Sequence, residues 1–127
     1  MAMDYGDSAA PNPQGKMGDY AIAAATSLFS QLQTLYGMTK SESQLWGMIG
    51  VTPMIGLNDV TTEVFDQQEA RELMAFAQQK GIGRIAMWSL NRDQQNASGK
   101  ISYVDTTSSS IVQRRLEFVQ IFKAFTA

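Results

Sequence analysis

Three short apolar runs constrain this chain more than any other feature: "MAMDYG" (1–6), "GMIGVTPMIG" (47–56) and "RIAMWSL" (84–90). Each is nearly continuous and marked off by glycine, with no regular alternation of polar residues. Continuous runs of this length suit strands buried on both faces, as in a parallel sheet, whereas a sheet with one wet face alternates. Strands are therefore expected over about 1–6, 48–55 and 84–90. Pro53 has no N–H to give to a ladder, so it is expected near a strand end or a bulge.

The intervals between the runs have helical period. Ile22, Ala25, Leu28, Phe29, Leu32, Leu35 and Tyr36 recur on one face and Gly37 follows as a C-cap, which predicts a helix over about 17–36. Asp66 followed by Glu69 resembles a capping box; Ala70, Leu73, Met74, Phe76 and Ala77 form a stripe that Lys80 and Gly81 close, predicting a helix over about 66–80. Glu69 and Glu72 are expected on the solvent face of that helix. After "DTTSSS" (105–110), whose serines are good N-caps, Ile111, Val112, Leu116, Phe118, Val119, Phe122 and Phe125 predict a third helix over about 110–125. Strands alternating with helices in this way are βα units joined by right-handed crossovers, so the fold class is α/β with a parallel sheet. Three parallel strands leave both outer edges unpaired and apolar, so the 127 residues read as part of something larger.

Composition narrows the chemistry. A 127-residue chain with 44% hydrophobic residues is one domain's length and can build a core. Ten basic and twelve acidic residues, spread along the chain for a net charge of −2, make no basic stripe, which argues against nucleic-acid binding. With no Cys and no His, disulfides, thiolate nucleophiles, serine-type triads and most transition-metal sites are excluded; neither metal nor cofactor is expected. Acid–base work falls to carboxylates, Tyr or Lys. No run approaches the roughly 20 apolar residues of a membrane span, and the first residues lack a signal-peptide pattern. Taken alone, the sequence carries no address.

Polar residues collect at the carboxyl end of each expected strand: Asp4 and Tyr5 in the first, Asn58 and Asp59 after the second, Trp88 with Asn91, Arg92 and Asp93 at the third. In parallel α/β folds that end is where ligands bind. The competing reading of Asp59 is a helix cap. Trp88 is either ordinary core or a stacking platform for a ring such as a sugar. Arg92 and Asp93 either pair with each other or brace the mouth of the site. "GIG" (81–83) precedes a strand, so it is a turn and no phosphate cradle; the eight Met residues read mainly as core filling. "NAS" (96–98) matches the glycosylation acceptor pattern, which matters only in a secretory pathway. Residues 91–107 form the one long loop.

The stretches "MAMDYG", "APNPQGKMGDYAIAAATSLFSQL", "LWGMIGVTPMIGLNDVTTEVFDQQEARELMAFAQQKGIGRIAMWSLNRDQ" and "SSSIVQRRLEFVQIFKAF" together resemble the C-terminal part of bacterial family-18 chitinases, over essentially the whole chain. The resemblance implies a (β/α)8 barrel in which residues 1–6, 48–55 and 84–90 stand for strands six, seven and eight. It also implies hydrolysis of β-1,4-linked N-acetylglucosamine polymers with retention, the substrate's own acetamido group acting as nucleophile. In that family a Glu closing a D-x-x-D-x-D-x-E motif on strand four is the general acid. None of the twelve acidic residues here sits in such a motif, so the 127 residues are expected to be inactive alone. What the resemblance carries over is the far wall of the cleft. Trp88 stands for the floor under the sugar at the cleavage point, and Asp4 with Tyr5 for the pair that positions the acetamido group, which of the two points inward being left open. Met3, Met54, Asn58 and Asp59 are candidate substrate contacts, and Asn91, Arg92 and Asp93 a structural rim. The implied partners are chitin or a chitooligosaccharide and the remaining barrel wall, or a second copy through open edges; no nucleic acid and no membrane are implied. The implied location is extracellular. The alternative is a non-catalytic carbohydrate-binding or self-assembling half-barrel.

Overall fold

The structure, a computed structural model, describes residues 1–125; the last two residues of the 1–127 span lie outside it. α1 (Met17–Tyr36) buries a narrow face of Met17, Ala21, Ala25 and Phe29, spaced four apart as one helical face requires. It ends where Gly37 turns to φ 55 and gives its N–H to the Gln33 carbonyl. α2 (Glu42–Gly47) follows, opened by a capping box in which Ser41 Oγ accepts from Gln44 N and the Gln44 side chain accepts from Ser41 N. The periodicity of the chain did not predict this helix, which is too short to show a period. Trp46 on α2 stacks on Phe29 of α1 with ring centres 4.1 Å apart and meets Phe76 of α3 (Gln67–Lys80) edge-on at 5.7 Å, so one indole ties three helices together.

The three apolar runs lie side by side and parallel. β1 (Gly50–Val51) pairs with β4 (Arg84–Ile85) in the register Gly50 to Arg84 and Val51 to Ile85. Beyond it, Pro53 bridges Ala2 on one side while Met54 bridges Trp88 on the other, so the middle run separates the first from the third. The ladder is thinner than expected: over 1–6, 48–55 and 84–90 the regular strands are two residues long and the rest is single bridges. Pro53 supplies a reason. It stands inside the middle run, where its carbonyl accepts Trp88 N (2.8 Å) but its ring nitrogen has nothing to donate on that side.

β2 (Gly56–Leu57) and β3 (Val64–Phe65) form an antiparallel hairpin at the carboxyl end of the middle run, a second departure from the expected βα order. At Gly56, φ is 72 and a Cβ would stand 2.0 Å from the Ser109 carbonyl oxygen, so only glycine fits under this loop. α3 then begins at the Asp66–Glu69 capping box and ends at Gly81 in the left-handed region.

Two expectations need correction. Glu69 is not on the solvent face: it is buried, and besides closing its own capping box it accepts from Met17 N and Gly18 N at the start of α1. One carboxylate thus serves the N-termini of two helices, where N–H groups converge and negative charge is favoured. The helix expected over 110–125 is only α4 (Glu117–Phe122). Ser108, Ser109 and Ser110 cap nothing there. They are buried and hold the long loop, Ser110 Oγ donating to the Tyr103 carbonyl (2.7 Å), and the backbone is left-handed at Ser110 and again at Leu116. Phe118 of α4 packs against Phe65, closing the core over the hairpin. Two apolar grooves border the sheet, one between α1 and the first and middle runs, lined by Ala2, Ala21, Leu28 and Val51, the other between the third run and α4, lined by Ile85, Met87, Val119 and Phe122.

Candidate functional site

The third run delivers Trp88 to the carboxyl end of the sheet with its side chain 55% exposed, and the Trp88–Ser89 peptide is cis. An indole so placed offers a bare apolar face. It forms part of the wall of a cavity of about 510 Å³, together with Met54, Asp59, Asn91, Arg92 and the loop residues Asp105 and Thr106.

Arg92 and Asp93 do not pair with each other. The Arg92 guanidinium is buried and donates to three carbonyls: Ile55 O (2.8 Å), Leu57 O (2.8 Å) and Asp105 O (3.0 Å). It therefore clamps the far side of the cavity to the β2 strand. Burial pulls its pKa down, and the nearby carboxylates of Asp59, Asp105 and Asp4 push it back up. Asp93 points the other way. Its carboxylate accepts from Phe118 N (3.1 Å) and Val119 N (2.8 Å), capping α4 from 25 residues upstream, and from Gln113 Nε2 (2.7 Å). Asn91 accepts from Ser89 Oγ (2.6 Å) and donates to the Thr106 carbonyl.

The long loop is itself pinned. Asp105 accepts from Thr107 N, Thr107 Oγ1, Ser108 Oγ and Asn96 Nδ2, and these bonds hold its carboxyl far below the usual carboxylate range. Asn96 of the "NAS" pattern is engaged on both sides, its Oδ1 accepting from Ser98 N (2.9 Å).

At the end of the first run, Asp4 adopts φ 51, its N–H facing Asn58 Oδ1 (3.4 Å) and its Oδ1 accepting from Val60 N (3.0 Å). Tyr5 turns the other way, its ring 6.1 Å from that of Tyr20 on α1, and burial followed by the nearby Glu63 charge pushes its phenol up to about 12. Asn58 is fully buried and its amide nitrogen is spent on the Met54 and Gly56 carbonyls, so the chain itself uses this side chain. Of the residues singled out in the sequence, Met54, Asp59, Trp88, Asn91 and Arg92 line the one cavity; Met3, Asp4, Tyr5, Asn58 and Asp93 do not. Two residues at this end of the sheet were missed, Asp105 in the loop and Glu63 in the hairpin. Glu63 left one trace: a lone acid between "TT" and the apolar "VF".

A parallel sheet flanked by helices, with an aromatic and a braced polar rim at its carboxyl end, is an α/β architecture of the kind that binds ligands at that end in other proteins. Its relatives are chitinases. The chain is 41% identical over 97 residues to a probable bifunctional chitinase/lysozyme of Escherichia coli (strain K12) and, equally, to endochitinase 11 of Metarhizium anisopliae, each match covering 73% of this chain. It spans 11% and 18% of those proteins. All of this chain superposes on 40% of the catalytic domain of a hyperthermophilic chitinase from Pyrococcus furiosus, with a TM-score of 0.82 and 32% identity. Catalytic-site mutants of active domain 2 of the Pyrococcus furiosus chitinase, one set complexed with chito-oligosaccharides, superpose equally well. No protein-family model matches the chain. These likenesses relate the chain to the chitinase type of glycoside hydrolase.

Proposed function

We propose that the chain is the last three βα units, strands six to eight, of a family-18 chitinase barrel, and that it supplies the far wall of the cleft in which β-1,4-linked N-acetylglucosamine polymers are cleaved. The observation that carries this reading is the superposition of the whole chain on part of a chitinase catalytic domain, with Trp88 exposed at the carboxyl end of the sheet. Trp88 is the stacking floor, Met54 and Asp59 flank it, and Asp4, outside the cavity lining but close enough for its charge to act on Arg92 within it, is the group that meets the acetamido group as it attacks. Tyr5, with its phenol buried toward α1, acts from behind. The general acid is not among these residues, so the 127-residue chain binds without cleaving; a missing acid costs several orders of magnitude in rate. The intact protein is a secreted glycoside hydrolase.

The experiment has two arms. Titration of the chain with chitotetraose, followed by Trp fluorescence in a Trp46→Phe background, shows quenching that Trp88→Ala abolishes. Because Trp88 is more than half exposed, its loss leaves the denaturation midpoint nearly unchanged, which separates lost binding from lost folding. In the second arm, chitinase-like turnover by the purified chain would sink the reading of a wall without its acid. The first and third runs pair only with the middle one, and the groove along the third is apolar, which favours a companion statement: the remaining barrel wall, or failing that a second copy, covers those edges. A well-behaved monomer by light scattering at high concentration counts against self-association.

A further inference from the structure

Glu63 is a buried carboxylate for which the proposed cleft has so far given no use. Its backbone closes the β2–β3 hairpin, with Glu63 N donating to the Val60 carbonyl (2.8 Å) and Asn58 N donating to the Glu63 carbonyl (3.0 Å). Its side chain leaves the hairpin and reaches the end of the first run, where Oε1 accepts from Tyr5 N (2.9 Å) and the Gly6 N–H faces the same carboxylate. There the backbone is left-handed twice, at Asp4 (φ 51) and at Gly6 (φ 77). A left-handed residue other than glycine is strained and persists where its surroundings hold it.

The holding groups all come from one hairpin. Asn58 Oδ1 faces Asp4 N, Val60 N donates to Asp4 Oδ1, and Glu63 takes the N–H of the next residue. Among the described residues no bond engages Asp4 Oδ2, and its carboxylate stands near enough to Arg92 to act on that guanidinium. Glu63 Oε2 and the Tyr5 phenol oxygen are buried without partners among the described residues. A buried acid with an unpartnered oxygen destabilises the fold, so what the side chain serves is the backbone it holds and not its own burial.

We propose that Glu63 is a positioning residue: by holding the Tyr5–Gly6 backbone it fixes Asp4 in its left-handed conformation, so that the free oxygen of Asp4 meets the acetamido group of a bound N-acetylglucosamine unit. This rests on the reading of Asp4 given above. The test uses the 127-residue chain, with amide hydrogen exchange and chitotetraose affinity as readouts. In Glu63→Ala the Tyr5, Gly6 and Val60 amides exchange about tenfold faster or more, the loss of one hydrogen bond to a charged group, while Leu73 and Ala77 in α3 keep their rates. Affinity for chitotetraose falls by a similar factor. Glu63→Gln, which keeps an oxygen for Tyr5 N, restores both. In an Asp4→Asn background Glu63→Ala weakens binding no further, because the two residues act through one another; a role in folding alone weakens both backgrounds alike. Wild-type exchange at Gly6 and Val60 in Glu63→Ala overturns the proposal. If that variant does not fold, Glu63→Asp, shorter by one methylene, replaces it with the same expected loosening. If the unsubstituted chain binds no sugar, the reading of the cleft fails, and the amide rates still decide whether Glu63 holds Asp4.

Discussion

Replacing Arg92 by Met tests whether the cavity wall is held by hydrogen bonds or merely by packing. Methionine keeps an unbranched apolar stem of similar reach and removes the guanidinium. Three bonds disappear, to the carbonyls of Ile55, Leu57 and Asp105. A hydrogen bond from a charged donor is worth about 1.5 kcal/mol or somewhat more, so the three together approach about 5 kcal/mol. Removing a buried charge returns part of this, about 1 to 2 kcal/mol, because the guanidinium no longer has to be desolvated. The expected net loss is about 3 kcal/mol, a large share of a typical domain's 5 to 15 kcal/mol. With a urea slope of about 1.5 to 2 kcal/mol per molar, the midpoint falls by about 1.5 to 2 M. Arg92→Lys is the sharper variant: one ammonium cannot span three carbonyls, yet its charge stays buried, so it destabilises at least as much. A midpoint shift below about 0.5 M for Arg92→Met, or a Lys variant close to wild type, would refute the reasoning.

Asp93→Ala leaves the N–H groups of Phe118 and Val119 without acceptors and costs about 1 to 2 kcal/mol, the worth of a helix cap, with amide exchange at those two positions rising first. Gly56→Ala forces a Cβ toward the Ser109 carbonyl at a left-handed φ and costs about 3 kcal/mol or more, whereas Gly15→Ala, left-handed at φ 67 but with open space around it, costs only about 1 to 2 kcal/mol; equal losses in the two urea midpoints would contradict the contact. Glu63 has its pKa raised by burial and by Asp4 and Asp7, so the folded chain binds a proton that the unfolded chain releases near pH 4.3. The protonated form favours folding, and stability falls as pH rises from about 4.3 through the raised value. Asp105 and Glu117, both lowered, lose their contribution only as pH falls below that range. Wild-type stability is therefore higher at pH 5 than at pH 7, and Glu63→Gln flattens the difference in part, Glu69 being raised as well. A urea midpoint that rises from pH 5 to pH 7 would reverse the sign and sink this account.

What was legible in the sequence was whatever repeats along it. α1 and α3 have period, caps and length enough to announce themselves, and the three apolar runs announce a parallel sheet. Two of the misses share a cause, a contact far along the chain. The serines before α4 look like caps by local rules, but the loop they hold packs over Gly56 and the cap is Asp93, 25 residues upstream of Phe118. Glu69 looks solvent-facing beside Glu72, yet the start of α1 comes down on it. Asn58 carries the chemistry of a binding residue, and two carbonyls of its own strand end engage its amide nitrogen. Side-chain type told where polar chemistry gathers; only the fold tells which atoms remain free for a ligand.

The free atoms follow a rule with a consequence for the proposed function. Arg92 fastens the loop after the third run to β2, the hairpin after the middle run fastens Asp4 at the end of the first, and Asp93 fastens α4. The Arg92 and Asp4 bonds join one unit of this chain to another, the Asp93 bonds tie the third unit together, and none of them waits for an outside residue. The wall that carries Trp88 is thus braced from within, while the first and third runs each pair on one side only, and an apolar groove lined by Ile85 and Met87 lies along the third. On the proposed reading, recognition and catalysis come apart in space. The stacking floor keeps its geometry wherever these three units fold, whereas hydrolysis requires the edges to be covered by the units that bring the acid.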